Sequence, residues 1–198
     1  MNKKIKAISL FSGAGGDTLG MENAGVDVVG YIEYDNQCII THKTNFPNSK
    51  LIGTDIYNVS INDLKPYIGK IDIIFGGFPC TPFSKAGKKD PKDKRNQLYL
   101  QFIRIVNIIK PKFIIAENVE GLKNVKINEK SFKDIIVDDF KNKAGYYLES
   151  KLYNTIDFGI PQKRKRFIFI GSKNKNNIKF PLDIIRPVEY VTISGHFS

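Results

Sequence analysis

Two patterns of apolar residues alternate along this chain. Short, nearly unbroken apolar runs predict buried strands, and segments whose apolar residues recur every three or four positions predict helices. Lys6–Phe11 is the first strand and ends at glycines. Asp17–Gly25 follows as a short helix, with Asp17 as N-cap and Gly25 as its stop. Asp27–Glu33 is a second strand, and Asn36–Phe46 is a helix closed by Pro47. A third, short strand lies around Leu51–Ile52, and Ile71–Gly77 is the fourth. Leu98, Phe102, Ile105, Val106 and Ile109 then mark one face of a helix that Pro111 ends. Lys112–Asn118 is a fifth strand, Ser131–Gly145 a helix with a glycine stop, and Tyr146–Asn154 and Arg166–Lys173 are two late strands.

Strands that alternate with helices predict an α/β fold, a doubly wound and mostly parallel sheet. Such sheets bind ligands at the carboxyl ends of their strands. Residues 1–175 read as one domain. Residues 176–198 lack a clear period and read as a lead-out.

Composition narrows the function classes. The 198 residues suffice for one substantial core. No apolar run is long enough to span a bilayer, and the lysine-led N-terminus enters a strand directly, without a signal-peptide core. Two cysteines, Cys38 and Cys80, make neither a disulfide framework nor a metal site. We therefore expect a cytoplasmic protein with no metal and no membrane partner. The net charge of +11 suits a polyanionic partner. Yet 26 of the 31 basic residues are lysine, as codon drift alone would give, so the positions of the five arginines carry more information.

Phe11–Gly16 (FSGAGG) closes the first strand and opens a helix. Glycines there permit a tight turn and close approach of a ligand to backbone. Glu33 ends the second strand, where an acid holds ribose hydroxyls in nucleoside-cofactor folds. Asp55 follows the third strand and is placed to accept from an adenine amino group. Thr18 stands where a dinucleotide fingerprint needs glycine, and no Gly-Lys-Ser/Thr follows. The turn therefore favours an adenosyl cofactor without a pyrophosphate.

Four segments then occur in order: FSGAGG, GGFPCTPFS, AENVEGL and FGIPQKRKRFIFIG. Together they resemble the glycine, Pro-Cys, Glu-Asn-Val and Gln-x-Arg-x-Arg motifs of the cytosine-C5 DNA methyltransferases, from about Lys6 to Gly171. The resemblance implies a Rossmann-like methyltransferase fold and S-adenosylmethionine as cofactor. It implies methyl transfer to carbon 5 of cytosine in double-stranded DNA, within a restriction-modification system. Cys80 is then the nucleophile, since a thiolate added at carbon 6 turns a poor carbon nucleophile into an enamine. Pro79 fixes the backbone before it, and the basic loop behind it is expected to supply the positive potential that favours a thiolate.

The same resemblance gives Glu117 the N3/N4 edge of cytosine, with a pKa expected to rise on desolvation. Arg164 is expected to contact the base and support Glu117, and Arg166 to contact backbone or order the catalytic loop. Phe11, Gly13, Gly15, Gly16, Glu33, Asp55, Ile56, Pro79 and Leu98 fall to the cofactor. Ser84, Lys88, Lys89 and Gln162 fall to nucleic acid, and Asn118 orders the turn. Cys38 reads as a small buried hydrophobe.

Three departures stand out. Thr81 follows the Pro-Cys pair where the family usually has glutamine, and Asn96 stands where a glycine is usual. The family's target-recognition domain and final motifs are not in this sequence, so a second subunit carrying them would complete an enzyme. A catalytically inactive cofactor- or nucleic-acid-binding remnant and an RNA cytosine methyltransferase remain as alternatives.

Overall fold

The computed structural model describes residues 4–79, 97–127 and 129–181. Along them run β1 (Lys6–Leu10), α1 (Gly16–Asn23), β2 (Asp27–Ile32), α2 (Asn36–Asn45), β3 (Lys50–Gly53), α3 (Ile61–Leu64), β4 (Ile73–Gly76), α4 (Leu98–Ile109), β5 (Phe113–Val119), β6 (Lys126–Ile127), β7 (Lys130–Ser131), α5 (Phe132–Ala144), β8 (Tyr147–Asn154) and β9 (Lys165–Ser172). Seven strands form one sheet in the order β3-β2-β1-β4-β5-β9-β8, and β6 and β7 pair as a separate ribbon. β1 to β5 are parallel, as the alternation predicts. The two late strands are antiparallel additions: β9 pairs with β5, and β8 with β9. The strand order reverses between β1 and β4, and a ligand crevice opens at such a reversal.

α4 forms because its apolar residues share one face. Tyr99, Phe102, Ile103, Ile105, Val106 and Ile109 are all buried. Lys110 ends it in a left-handed conformation, just ahead of Pro111. α5 begins at Ser131, whose hydroxyl accepts from the N–H of Asp134, and stops at Gly145, φ +73°. The two helices meet through Phe102 and Phe140, rings edge-on at 5.4 Å, and cover one face of the sheet with the larger core. On the other face α1 covers a smaller cluster of Ala7, Met21, Val26 and Val28.

Two local expectations change. Asp17 is not the N-cap of α1; Gly15 is, at φ +95°. Asp17 lies in the first turn, and its carboxylate accepts instead from the buried hydroxyl of Ser9. α3 escapes the periodicity because it is a single turn. Its start is nevertheless marked by a capping box between Ser60 and Asp63. Of the expected lead-out, residues 176–181 are described. Phe180 packs against Tyr153 of β8, whose hydroxyl donates to the Pro181 carbonyl at 3.2 Å. No helix among the described residues is long and apolar enough to cross a membrane.

Candidate active site

The glycine turn at the end of β1 is built by positive φ at Phe11, Gly13 and Gly15. Gly15 is required twice over: besides its φ, a Cβ there would lie 2.4 Å from Phe46 and 2.9 Å from His42. His42 is fully buried beneath the turn, stacked on Tyr31 at 3.7 Å and bonded to Thr18 Oγ1 through Nε2 at 3.0 Å. Burial pushes the His42 pKa down and that of Asp17 up.

Glu33, just past β2, is held among the described residues by backbone donors. Its Oε2 accepts from the N–H of Gly13 at 2.7 Å, and Oε1 from those of Tyr34 and Asp35 at 2.8 and 2.9 Å. A carboxylate oxygen accepts about two hydrogen bonds, so Oε1 is filled and Oε2 keeps one position for a ligand hydroxyl. Asp55, past β3, is braced by one backbone and one side-chain donor. Its Oδ1 accepts from the Tyr57 N–H and its Oδ2 from the Asn58 amide, both at 3.0 Å, leaving one position on each oxygen.

Between these acids lies a cavity of about 580 Å³ lined by Phe11, Ile32, Glu33, Tyr34, Thr54, Asp55, Ile56, Tyr57, Gly77, Pro79 and Leu98. Six of the nine expected cofactor residues are in this wall. Gly13, Gly15 and Gly16 are not; they shape the turn behind it. Reading the sequence missed Ile32, Tyr34, Thr54, Tyr57 and Gly77. Tyr34 had a usable signal: an aromatic directly after the strand-end acid, and here it is 79% exposed beside the cavity.

The opposite wall is the segment that follows β4, Gly77 and Pro79, with β5 paired beside β4. Gly76 is glycine because a Cβ would meet the Phe102 ring at 2.6 Å. Gly77 lines the cavity, and a Cβ there would lie 3.7 Å from Glu117 Oε2, so this carboxylate stands directly behind the wall. Asn118, 2% exposed, bridges the two strands' ends. Its Nδ2 donates to the Phe78 carbonyl at 3.1 Å, while its Oδ1 accepts from the N–H of Val119 at 2.8 Å. The Phe78 ring packs on Tyr99 and Phe102, so backbone and side chain are both fixed just before Pro79.

The arginine expectation needs correction. Glu117 is paired with Arg166, Nε to Oε1 at 2.7 Å, and not with Arg164. This contact is charge against charge, without hydrogen-bond alignment. Antiparallel register is the cause: β9 sets Arg166 opposite Val119 and Ile168 opposite Glu117, and residues two apart on a strand share a face. Arg164 precedes β9 and is exposed, its carbonyl accepting from the Thr155 N–H at 3.0 Å. Gln162 is also exposed, and its carbonyl accepts from the Thr155 hydroxyl. Cys38 is only partly buried, at the start of α2. Cys80, Thr81, Ser84, Lys88, Lys89 and Asn96 lie outside the described residues. Among the described residues no cluster of side chains could hold a metal ion.

Comparison with known proteins agrees with this geometry. Residues 5–194 match the family model for C-5 cytosine-specific DNA methylase. The chain is 40% identical over 171 residues to the Type II methyltransferase M.DdeI of Desulfomicrobium norvegicum, covering 86% of this chain and 41% of that protein. It is 37% identical over 198 residues to the Type II methyltransferase M1.HphI of Haemophilus parahaemolyticus, covering 96% and 52%. The chain thus spans about half the length of these relatives. The fold matches that of a Spodoptera frugiperda DNMT2 mutant with a TM-score of 0.71, at 24% identity over 91% of this chain and 56% of that one. With acid-braced turns at successive strand ends and a family match running nearly its whole length, the chain belongs to the C-5 cytosine-specific DNA methylase family.

Proposed function

We propose that this chain is the cofactor-binding and catalytic portion of an enzyme that methylates carbon 5 of cytosine in DNA, with Cys80 as nucleophile. One observation carries the reading. The cavity bounded by Glu33 and Asp55 ends at Gly77 and Pro79, one residue before Cys80, with the Glu117–Arg166 pair directly behind.

The residues present suit S-adenosylmethionine. The cavity volume is that of an ordinary small-molecule site. Glu33 Oε2 has room for a ribose hydroxyl, Asp55 for an adenine amino group, and Phe11, Ile56 and Leu98 supply apolar wall. When bound, this cofactor supplies an electrophilic methyl group.

The chain's own groups do the rest. A cytosine inside a duplex is out of reach, so the base must be extruded, at a cost of a few kcal/mol. The Cys80 thiolate then adds to carbon 6, and the electron pair reaches carbon 5, which takes the methyl. Loss of the carbon 5 proton and of the thiolate restores the ring. Glu117 holds the N3/N4 edge, and Arg166 holds Glu117 in direction. Asn118 fixes Phe78, and so the direction in which the chain leaves toward Cys80. The basic segment Ser84–Gln97, with Ser84, Lys88 and Lys89, contacts phosphates.

A duplex carrying 5-fluorocytosine tests this, because fluorine cannot leave as the proton does and the adduct persists. The assay uses the chain alone and with the remaining length of its relatives supplied in trans. We expect a stable adduct on Cys80 by mass spectrometry, and none in Cys80→Ala, which should also lose all methyl transfer. An adduct at another residue, or turnover by Cys80→Ala at the wild-type rate, would refute the assignment. The reading of a non-catalytic remnant requires no adduct in either assay.

A further inference from the structure

Arg104 lies in the middle of an apolar helix, and the chemistry above does not use it. From α4 its guanidinium reaches under the turn that follows β3. Its Nη2 donates to the Ile56 carbonyl at 2.6 Å and Nη1 to the Val59 carbonyl at 2.9 Å, while Nε donates to Gln101 Oε1 at 2.7 Å. All three acceptors are neutral. The charge is therefore not held as an ion pair; the planar fork spans two carbonyls three residues apart and satisfies both.

Those carbonyls belong to the segment that forms one wall of the cavity. Asp55, Ile56 and Tyr57 line it, and the side chains of Ile56 and Val59 are each 4% exposed. On the cavity side Asp55 braces the turn from within, accepting from Tyr57 and Asn58. On the underside Arg104 braces it from another element. The same helix sends Leu98 into the cavity wall. One rigid element thus sets both the wall and the far side of the nucleoside pocket.

We infer that Arg104 is a positioning residue for cofactor binding: it holds the Asp55–Val59 turn in the shape that accepts the adenine end. The inference rests on the reading of the cavity as an S-adenosylmethionine site. Without the fork, the two carbonyls must seek water or other donors, and a buried carbonyl left unpaired is costly. The turn then samples conformations in which Asp55 is displaced, and the loss falls on binding and not on turnover.

The test measures S-adenosylhomocysteine and adenosine binding by calorimetry on the full chain. The variants are Arg104→Met, Arg104→Lys and, as a plain core lesion on the same helix, Ile105→Val. We expect Arg104→Met to raise Kd about tenfold for both ligands, roughly 1.4 kcal/mol. Arg104→Lys, able to serve one carbonyl at a time, should fall between Arg104→Met and wild type. Ile105→Val should lower Tm and leave Kd unchanged. Amide exchange at Tyr57 and Asn58 should quicken in Arg104→Met, less so in Arg104→Lys, and not in Ile105→Val. Should Arg104→Met not fold, Arg104→Lys carries the test through the same measurements. Wild-type affinity in the Arg104 variants overturns the inference, as does an affinity loss in Ile105→Val of the same size. A folded wild-type chain that binds neither ligand sinks the cofactor reading itself, and this inference with it.

Discussion

The two walls of the cavity are built on different plans. On the side proposed for the nucleoside, Glu33 is held by the N–H groups of its next two residues and of Gly13, and Asp55 by the N–H of Tyr57 and the side-chain amide of Asn58. On the side proposed for the base, Glu117 is held by Arg166, which arrives from an antiparallel strand 49 positions later. Backbone donors fix a carboxylate whatever the surrounding side chains, because every residue but proline supplies one. A side-chain partner depends on strand register, which a single slip would reverse. The Glu33 site is therefore the sturdier part, while the base wall, through Arg166, and the Asp55 turn, through Arg104, are where a distant change can alter the geometry.

The largest expected effect separates the walls outright. Glu117→Ala should lower kcat by about 100- to 10,000-fold, the range for a lost acid–base group, with S-adenosylhomocysteine affinity unchanged. A parallel fall in affinity would show that the two walls are not independent. Glu33→Ala should do the converse. It leaves three backbone donors without their acceptor and should raise Kd for S-adenosylhomocysteine by about 10- to 100-fold. Calorimetry showing unchanged affinity would remove Glu33 from the cofactor site.

A narrower contrast lies within the base wall. Arg166→Ala should lower kcat about tenfold, a moderate value because the pair is partly exposed to solvent. Arg164→Ala should weaken DNA binding and leave the Glu117 geometry intact. Single-turnover rates at saturating duplex distinguish the two, and a larger chemical defect in Arg164→Ala would reverse the assignment drawn from register.

The smallest effect is a pH dependence beneath the glycine turn. Burial holds His42 below the ordinary histidine pKa of 6.5, with the charge of Glu33 opposing. The unfolded chain then takes up a proton that the folded chain refuses. Stability from neutral His42 is thus present above 6.5 and is lost as pH falls toward the depressed folded value. Urea midpoints at about pH 7 and about pH 5 should fall more steeply in wild type than in His42→Gln. The difference between the two proteins removes the contribution of Asp17, whose raised pKa acts in the opposite sense. Equal slopes would exclude His42 as the cause.

The nucleoside wall was readable because its parts are local. An apolar run ending at an acid places Glu33 and Asp55 at strand ends without knowledge of any distant contact. The residues missed there, Tyr34, Thr54 and Tyr57, are immediate neighbours of residues that were identified. The base wall was readable only as motif. The sequence led to the expectation that Glu117 and two arginines share a site, and it favoured Arg164, because two arginines on one strand face look equivalent until the partner strand is placed. Nothing local in the sequence marks Arg104, since its acceptors are backbone carbonyls 45 and 48 positions away.

The sequence by itself determined the alternation of strands and helices, the buried face of α4, the strand-end acids and the family. Each follows from periodicity, turn chemistry or short motifs, which depend on residues close along the chain. Only the tertiary structure decided that β9 enters antiparallel beside β5, that Arg166 therefore pairs with Glu117, and that Arg104 braces the turn bearing Asp55. These depend on register and packing between distant segments, and the two-residue repeat of a strand fixes which residues share a face but not which strand lies opposite.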